Sequence, residues 1–432
     1  MSRLREYVSN TSWLALERLF RMAVGLVGWL YVARYLGPED FGLLNYALSF
    51  VGLFATVAAL GVDQLLLREL VRQPSSQAVF LGTAAGLRLA GSVAAIVVIS
   101  VLLLLIGGDT EERLLIWIIS ITLLLQSLGG IESHFAAQVR SKYVVYVQLV
   151  QSTLSLLLRI ALVELEVPLV WFAVALTLDS VLLYVGLVWA YRRFGGAISD
   201  WRFDFGEAKR LLQASWPIIF SGIFITIYLK VDQVMLKLMV GEHEVGIYAA
   251  AVKLSETWYF IPAVITTSVF PAIVNARKVG MDLYYSRLQD LYDLMTLLSV
   301  GLAVVVSLVS APLIEWIFGE AFVEAGPVLA LHIWAGVLVF GGFVRQRWVL
   351  AENLQGREAW LNLAGAVLNI LFNFALIPVY GAFGAASATV LSYFVALYLM
   401  TYFMQDFRPF FRMYNASFVH LLTLRVLRRR IA

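Results

Sequence analysis

Twelve apolar stretches, each near the twenty or so residues a helix needs to cross a hydrocarbon core, divide this chain from end to end. They fall at about 12–34, 41–62, 79–106, 113–134, 144–163, 168–190, 214–239, 247–272, 290–312, 327–348, 359–378 and 384–404. Such runs leave few folds open. In a bilayer every backbone N–H and C=O must be satisfied within the protein, so spanning segments are helices or closed barrels. Barrel strands take only about ten residues. The pattern therefore predicts an all-α integral membrane protein with twelve transmembrane helices. Composition agrees, because only 14% of the residues are charged against about 25% in soluble domains. The first run, SWLALERLFRMAVGLVGWLYVARYLG, contains Glu17, Arg18 and Arg21. A cleaved signal sequence has an uncharged core, so this run reads as a retained helix.

An even number of spans places both termini on one side. With that count, all the Lys and Arg of the loops fall on one side except Arg34 and Arg113. The other side is acidic, with GPED, GGDTEE, ELE and GEHE. Loops rich in Lys and Arg stay in the cytoplasm, so both termini are expected to be cytoplasmic.

An internal repeat supports two halves. LGPEDFGLLNYALS (36–49) aligns with VGEHEVGIYAAAVK (240–253), matching Gly37 to Gly241, Gly42 to Gly246 and Ala47 to Ala251. Each stretch follows the first helix of a six-helix half. Halves with an even number of helices share one orientation, so a pseudo-twofold axis along the membrane normal is expected. The division is expected as 1–198 and 199–432. The stretch YRRFGGAISDWRFDFGEAKRLLQ (191–213) reads as a cytoplasmic linker whose short amphipathic helix opens the second half. The tail 407–432 ends in LRVLRRR, a basic piece suited to an anionic lipid surface.

Several chemistries are absent. There is no cysteine and no G-x-x-x-x-G-K-[ST] phosphate loop, and the four histidines lack metal-ligand spacing. Neither H-E-x-x-H nor G-x-S-x-G occurs. With loops too short for a soluble domain, neither an enzyme nor a nucleic-acid binder is expected, and no cofactor is implied.

The informative residues are the charges inside the spans: Arg18, Arg21, Arg88, Arg159, Lys230, Lys237 and Lys253. Each is costly near a bilayer centre, about 2.5–3.5 kcal/mol on insertion scales. Glu17, Arg18 and Arg21 share one helix face. A Glu17–Arg21 pair would leave Arg18 without a local counter-charge. Arg88 either snorkels to the inner interface or lines a cavity, and Arg159 either pairs with Asp179 or meets a substrate. Lys230 and Lys237 are seven residues apart on one face, with Asp232 turned about 200° from Lys230. Lys237 is close enough to the helix end to snorkel. Lys230, Asp232, Lys253 and Glu256 fall in one depth layer. Embedded cations exceed embedded acids, so the expected ligand is an anion, with phosphate the natural candidate for Arg18, Arg21, Arg88, Arg159, Lys230 and Lys253. Asp232, Glu256 and Glu17 are candidates for coupling to a proton or sodium ion. Asn362, Asn369 and Asn373 form one polar stripe, for sugar contacts or for bonds between helices.

Two stretches carry a family resemblance. YLGPEDFGLLNYALSFVGLFATVAALGVDQLLLREL resembles the opening of the Wzx-type polysaccharide flippases of the multidrug/oligosaccharidyl-lipid/polysaccharide exporter superfamily. DQVMLKLMVGEHEVGIYAAAVKLSETWYFIPAVITTSVFPAI resembles the region that opens their second lobe. The resemblance covers about residues 8–405. It implies two six-helix lobes in a MATE-like V around a cationic cavity, working by alternating access in the cytoplasmic membrane of a prokaryote. It also implies a cargo, a sugar or oligosaccharide joined through phosphate or pyrophosphate to a polyprenol. Membrane lipids, and glycosyltransferases or a polymerase of the same pathway, would be its partners. Two other readings stand beside it. A cation-coupled multidrug exporter of the same architecture would favour an acidic cavity, and a scaffold for glycan-assembly enzymes would tolerate loss of every embedded charge.

Overall fold

The computed structural model describes residues 2–352 and 354–423, and the side chains of 20–423 apart from Gln64, Ile106 and Asn353. Every described element is helical. The first half contains α1 (Ser2–Ala59), α2 (Val62–Arg72), α3 (Gln77–Ile106), α4 (Thr110–Leu125), α5 (Gly130–Ala137), α6 (Lys142–Glu164) and α7 (Val170–Phe194). Then follow α8 (Phe205–Val240), α9 (Glu242–Thr257), α10 (Phe260–Val279), α11 (Met281–Phe318), α12 (Ala325–His332) and α13 (Ala335–Glu352). The chain closes with α14 (Gln355–Tyr393), α15 (Met400–Phe403) and α16 (Arg408–Leu422).

Among the described residues ten helical stretches are long and apolar enough to cross a membrane. Two of them hold a break. In α1, Gly37 leaves the helical region (φ 71°, ψ 177°) just before Pro38, and in α14 Gly381 does so (φ 53°, ψ −131°). Divided at these glycines, the ten stretches are consistent with the expected twelve. Large apolar side chains lie on the outside, with Leu104 78% and Trp316 76% exposed. Patches of this kind suit lipid rather than water, and the chain is a multi-pass membrane protein.

The two quoted repeat segments share more than letters. Gly241 (φ 107°, ψ 176°) sits between α8 and α9 in nearly the backbone state of Gly37. That region of φ/ψ space is essentially closed to side-chain-bearing residues. A Cβ at either glycine would meet nothing within 4 Å, so the requirement lies in the backbone alone.

Contacts divide the chain into two compact units, Met1–Val231 and Asp232–Ala432. The linker is fastened to the first unit. Arg202 N–H donates to Ala78 O at 3.1 Å, Asp204 N–H donates to Thr83 Oγ1 at 3.1 Å, and Trp201 Nε1–H donates to Tyr191 Oη at 3.1 Å. Gly82 and Gly86 make room on α3: a Cβ would come within 2.5 Å of Arg202 N and 2.6 Å of the Phe203 ring. Ala208 and Leu211, the apolar face of the amphipathic piece, enter the core of Leu66, Phe80, Leu81, Ile131 and Phe135.

The second unit is centred on Tyr284, Tyr292, Met295, Phe340, Trp348 and Phe410. Helix α16 packs its Phe410, Met413 and Tyr414 into that core, and its His420 Nδ1 lies 2.9 Å from Asp293 Oδ2 on α11. The basic LRVLRRR segment lies outside the described residues.

Candidate functional site

In the second unit the polar centre is Asp232, 3% exposed, near the end of α8. No cation holds it. Tyr248 Oη on α9 donates to Oδ2 at 2.6 Å, Thr389 Oγ1 donates to Oδ2 at 2.7 Å, and Asn373 Nδ2 donates to Oδ1 at 2.5 Å. Asn373 Nδ2 also reaches Asn369 Oδ1 at 3.2 Å. Thr389 and the two asparagines come from opposite sides of the Gly381 break in α14. Bending the helix there lets one element present both arms of the cage. A buried carboxylate survives away from water only when its lone pairs are occupied, and three neutral donors do that here. Beside the cage, the Tyr248 ring meets His332 edge-on at 6.1 Å, and His332 Nδ1 lies 3.0 Å from Ser255 Oγ.

Of the asparagine stripe, Asn373 makes a bond between helices, from α14 to Asp232 of α8. Asn369 and Asn373 are each 0% exposed, and only Asn362 is partly accessible. Spacing placed all three on one face, but not which polar partner that face would meet. Lys253 and Glu256 are exposed on α9, so their shared depth with Asp232 does not bring them into its cage. Lys237 ion-pairs with Glu242 at 2.8 Å across the α8–α9 turn.

In the first unit two of the embedded arginines are neutralised. Arg159 Nη2 donates to Asp179 Oδ2 at 2.5 Å, with each side chain 13% exposed. Its guanidinium lies 5.7 Å from the Trp29 ring centroid. Gly28 leaves it space, since a Cβ there would lie 3.3 Å from Arg159 Nη1. Arg88, 4% exposed, ion-pairs with Asp63, and its Nη1 donates to Gln126 O at 3.2 Å. Each of the two arginines thus has an acid on a neighbouring element beside it. Asp63 was missed by sequence reasoning. Its one signal was a lone acid just beyond an apolar run.

Lys230 differs. It is half-buried in α8, its Cγ 4.0 Å from where a Cβ on Gly52 of α1 would stand, and it forms no hydrogen bond or ion pair among the described residues. Arg21 is exposed. Glu17 and Arg18 lie in α1, but their side chains fall outside the described residues.

Solved structures share this all-helical fold. A lipid II flippase, MurJ, in an inward closed conformation matches with TM-score 0.74 at 13% identity, over 96% of this chain and 92% of that one. An inward-facing multidrug resistance MATE family transporter of the MOP superfamily matches with TM-score 0.68 at 16% identity, over 90% of this chain and 94% of that one. The fold is thus MATE-like.

The family is fixed by sequence. Residues 7–277, more than half the chain, match the model of the polysaccharide biosynthesis protein family, and the chain belongs to that family. Two relatives come from Haloferax volcanii. A probable flippase, AglR, is 28% identical over 177 residues, 38% of this chain and 35% of AglR. A probable low-salt glycan biosynthesis flippase, Agl15, is 23% identical over 226 residues, 52% of this chain and 48% of Agl15. The matched portion spans about half, or less, of these relatives' length.

Proposed function

We propose that this protein is a flippase that carries a sugar or oligosaccharide, linked through phosphate or pyrophosphate to a polyprenol, from the cytoplasmic to the outer leaflet by alternating access. Family membership and the two relatives named as probable flippases support the class. The observation that carries the cargo's charge is Lys230. Arg88, Arg159 and Lys237 have acids beside them, whereas Lys230 has none among the described residues. A half-buried ammonium without a counter-ion is costly unless an anion arrives, and a lipid phosphate supplies one. Arg21, exposed on α1, is a second candidate for the same headgroup, and Arg18 and Lys253 remain candidates by charge and depth.

Asp232 supplies the coupling site in this reading. Its carboxylate, the Asn369 amide oxygen and the Thr389 and Tyr248 hydroxyls form an oxygen-rich set suited to a proton or a sodium ion. The membrane would be the cytoplasmic one, with both termini inside, as the distribution of Lys and Arg in the loops indicates.

The test is translocation of a fluorescent polyprenyl-linked oligosaccharide in vesicles reconstituted with the purified protein. The wild type is expected to flip it. Lys230→Ala should abolish flipping while leaving insertion and thermal unfolding unchanged, and Lys230→Arg should retain part of it. Full activity in the alanine variant would overturn the role given to Lys230.

A further inference from the structure

Between α10 and α11, which join at Gly280, runs an open groove of about 570 Å³. Its size falls within the range of small-molecule sites, about 300–1,000 Å³. Two stripes line it. Val269, Ile273 and Ala276 come from α10, and Arg287, Leu291 and Leu294 from α11. Each set runs at intervals of four and three, which puts its members on one helix face. Pro271 stands inside α10 at the same level, and a proline there removes one bond of the helical ladder and bends the helix. Ala276 presents only a methyl group where a larger side chain would fill the space.

The groove is apolar along its length and polar towards one end. Leu294 lies seven residues beyond Arg287, about 10 Å along the helix axis. Leu294 falls within the apolar span of about 290–312 and Arg287 just before it, so a cation sits at the membrane's edge with apolar walls running inward from it. Arg287 is exposed and forms no hydrogen bond or ion pair among the described residues. The Asn275 amide on α10, also in the lining, is exposed and likewise without a hydrogen bond among them. Lys278, two residues before Gly280, adds a second exposed cation near that end. Asp290, in the lining too, already interacts within the chain, and Arg277 is held by Glu352 at 3.1 Å. Apolar walls suit hydrocarbon, and a guanidinium at their mouth suits phosphate. The turn at Gly280 belongs to the side whose loops collect Lys and Arg, the side expected to face anionic lipid.

We propose that this groove is a site for an anionic membrane phospholipid. One acyl chain lies against Val269, Ile273, Leu291 and Leu294, and the phosphate meets Arg287, with Lys278 adding charge beside it. The Asn275 amide donates to an ester or headgroup oxygen. A second copy of this chain is a poorer occupant, because a twofold contact over the groove would bring Arg287 and Lys278 against their own counterparts. The lipid is a ligand of the second unit, separate from the cargo and from Lys230, and the site stands whether or not the flippase reading holds.

The test is native mass spectrometry of the purified full-length protein in detergent, titrated with phosphatidylglycerol. One saturable adduct is expected, and diacylglycerol with the same chains, which lacks the phosphate, should bind more weakly. Arg287→Ala should raise the half-saturation concentration for phosphatidylglycerol about tenfold, the effect of losing a hydrogen bond between charged groups. Arg287→Lys should recover part of that loss, and Ala276→Leu, which fills the groove, should remove the adduct. Arg287 is exposed, so its replacement should leave the thermal unfolding midpoint of the lipid-free protein unchanged, and the Arg287→Ala result then stands even if Ala276→Leu fails to fold. No saturable adduct overturns the proposal, as does one that neither Arg287→Ala nor Ala276→Leu weakens. Tighter binding of a polyprenyl phosphate than of phosphatidylglycerol, lost in the same variants, would give the groove to a cargo-like chain and overturn the choice of occupant. A concentration-dependent dimer that Ala276→Leu dissociates would overturn it in favour of a second copy.

Discussion

Asn373 turns its side-chain nitrogen onto Asp232 Oδ1 at 2.5 Å, joining residues 141 positions apart in the chain. The amide, with the Tyr248 and Thr389 hydroxyls, does for a buried carboxylate what water does outside. Asp232→Ala would remove the acceptor that three donors share, at about 1–3 kcal/mol for each group left unsatisfied. Thermal unfolding should show a large loss for Asp232→Ala and a smaller one for Asp232→Asn. In vesicles, Asp232→Asn should remove any dependence of flipping on an imposed pH or sodium gradient. A gradient response equal to wild type would separate Asp232 from coupling.

The Arg159–Asp179 pair invites a double-mutant cycle. Removing one partner of a buried pair costs about 3–5 kcal/mol, while replacing both with apolar residues of similar size is often close to neutral. Arg159→Leu or Asp179→Leu alone should therefore lower stability far more than the two together. If the pair is purely structural, the double variant also keeps its transport rate. A rate that stays low in a stable double variant would return Arg159 to the substrate path.

Glu69, outside the spans on α2, predicts a pH dependence. Burial pushes its carboxyl pKa up, but hydrogen bonds from Arg68 Nε at 3.0 Å and Arg210 Nη2 at 3.2 Å outweigh this and hold it below its ordinary value. A carboxyl whose folded pKa is depressed stabilises at pH above its unfolded value and loses that contribution as pH falls through the folded one. Wild type should exceed Glu69→Gln in denaturant midpoint at neutral pH, and the gap should close as the solution is acidified through the carboxylate range.

Gly37→Ala and Gly241→Ala should each destabilise by about 1–3 kcal/mol, the usual cost of forcing a side chain into that backbone region. A Cβ meets no neighbour at either place, so Ala and Ser should cost alike. A much larger loss for the bulkier residue would show that packing, not backbone, sets the requirement.

The spans were legible because a twenty-residue apolar run admits few conformations in a bilayer. The two repeat glycines were legible as aligned letters, though their shared backbone state was not. Arg159 and Asp179 could be paired in advance because each was a lone charge in adjacent spans. Arg88 and Asp63 could not. The acid stands in a turn, and nothing in spacing tells which way a guanidinium will swing. The asparagine stripe shows the limit most plainly. Periodicity put Asn362, Asn369 and Asn373 on one face, while the angle between Lys230 and Asp232 already separated cation from acid. Only the Gly381 bend, which sets Thr389 beside Asn373, reveals that this face serves the acid.

The strap formed by residues 201–204 makes the order of manufacture negotiable. Its bonds to Ala78, Thr83 and Tyr191 all lie on the far side of the Gly195–Gly196 link. A molecule assembled from 1–195 and 196–432, made separately, would carry its own clasp in the second piece. Either piece could then be isotopically enriched alone, and a spectroscopist could watch Asp232 or Arg88 against a silent background.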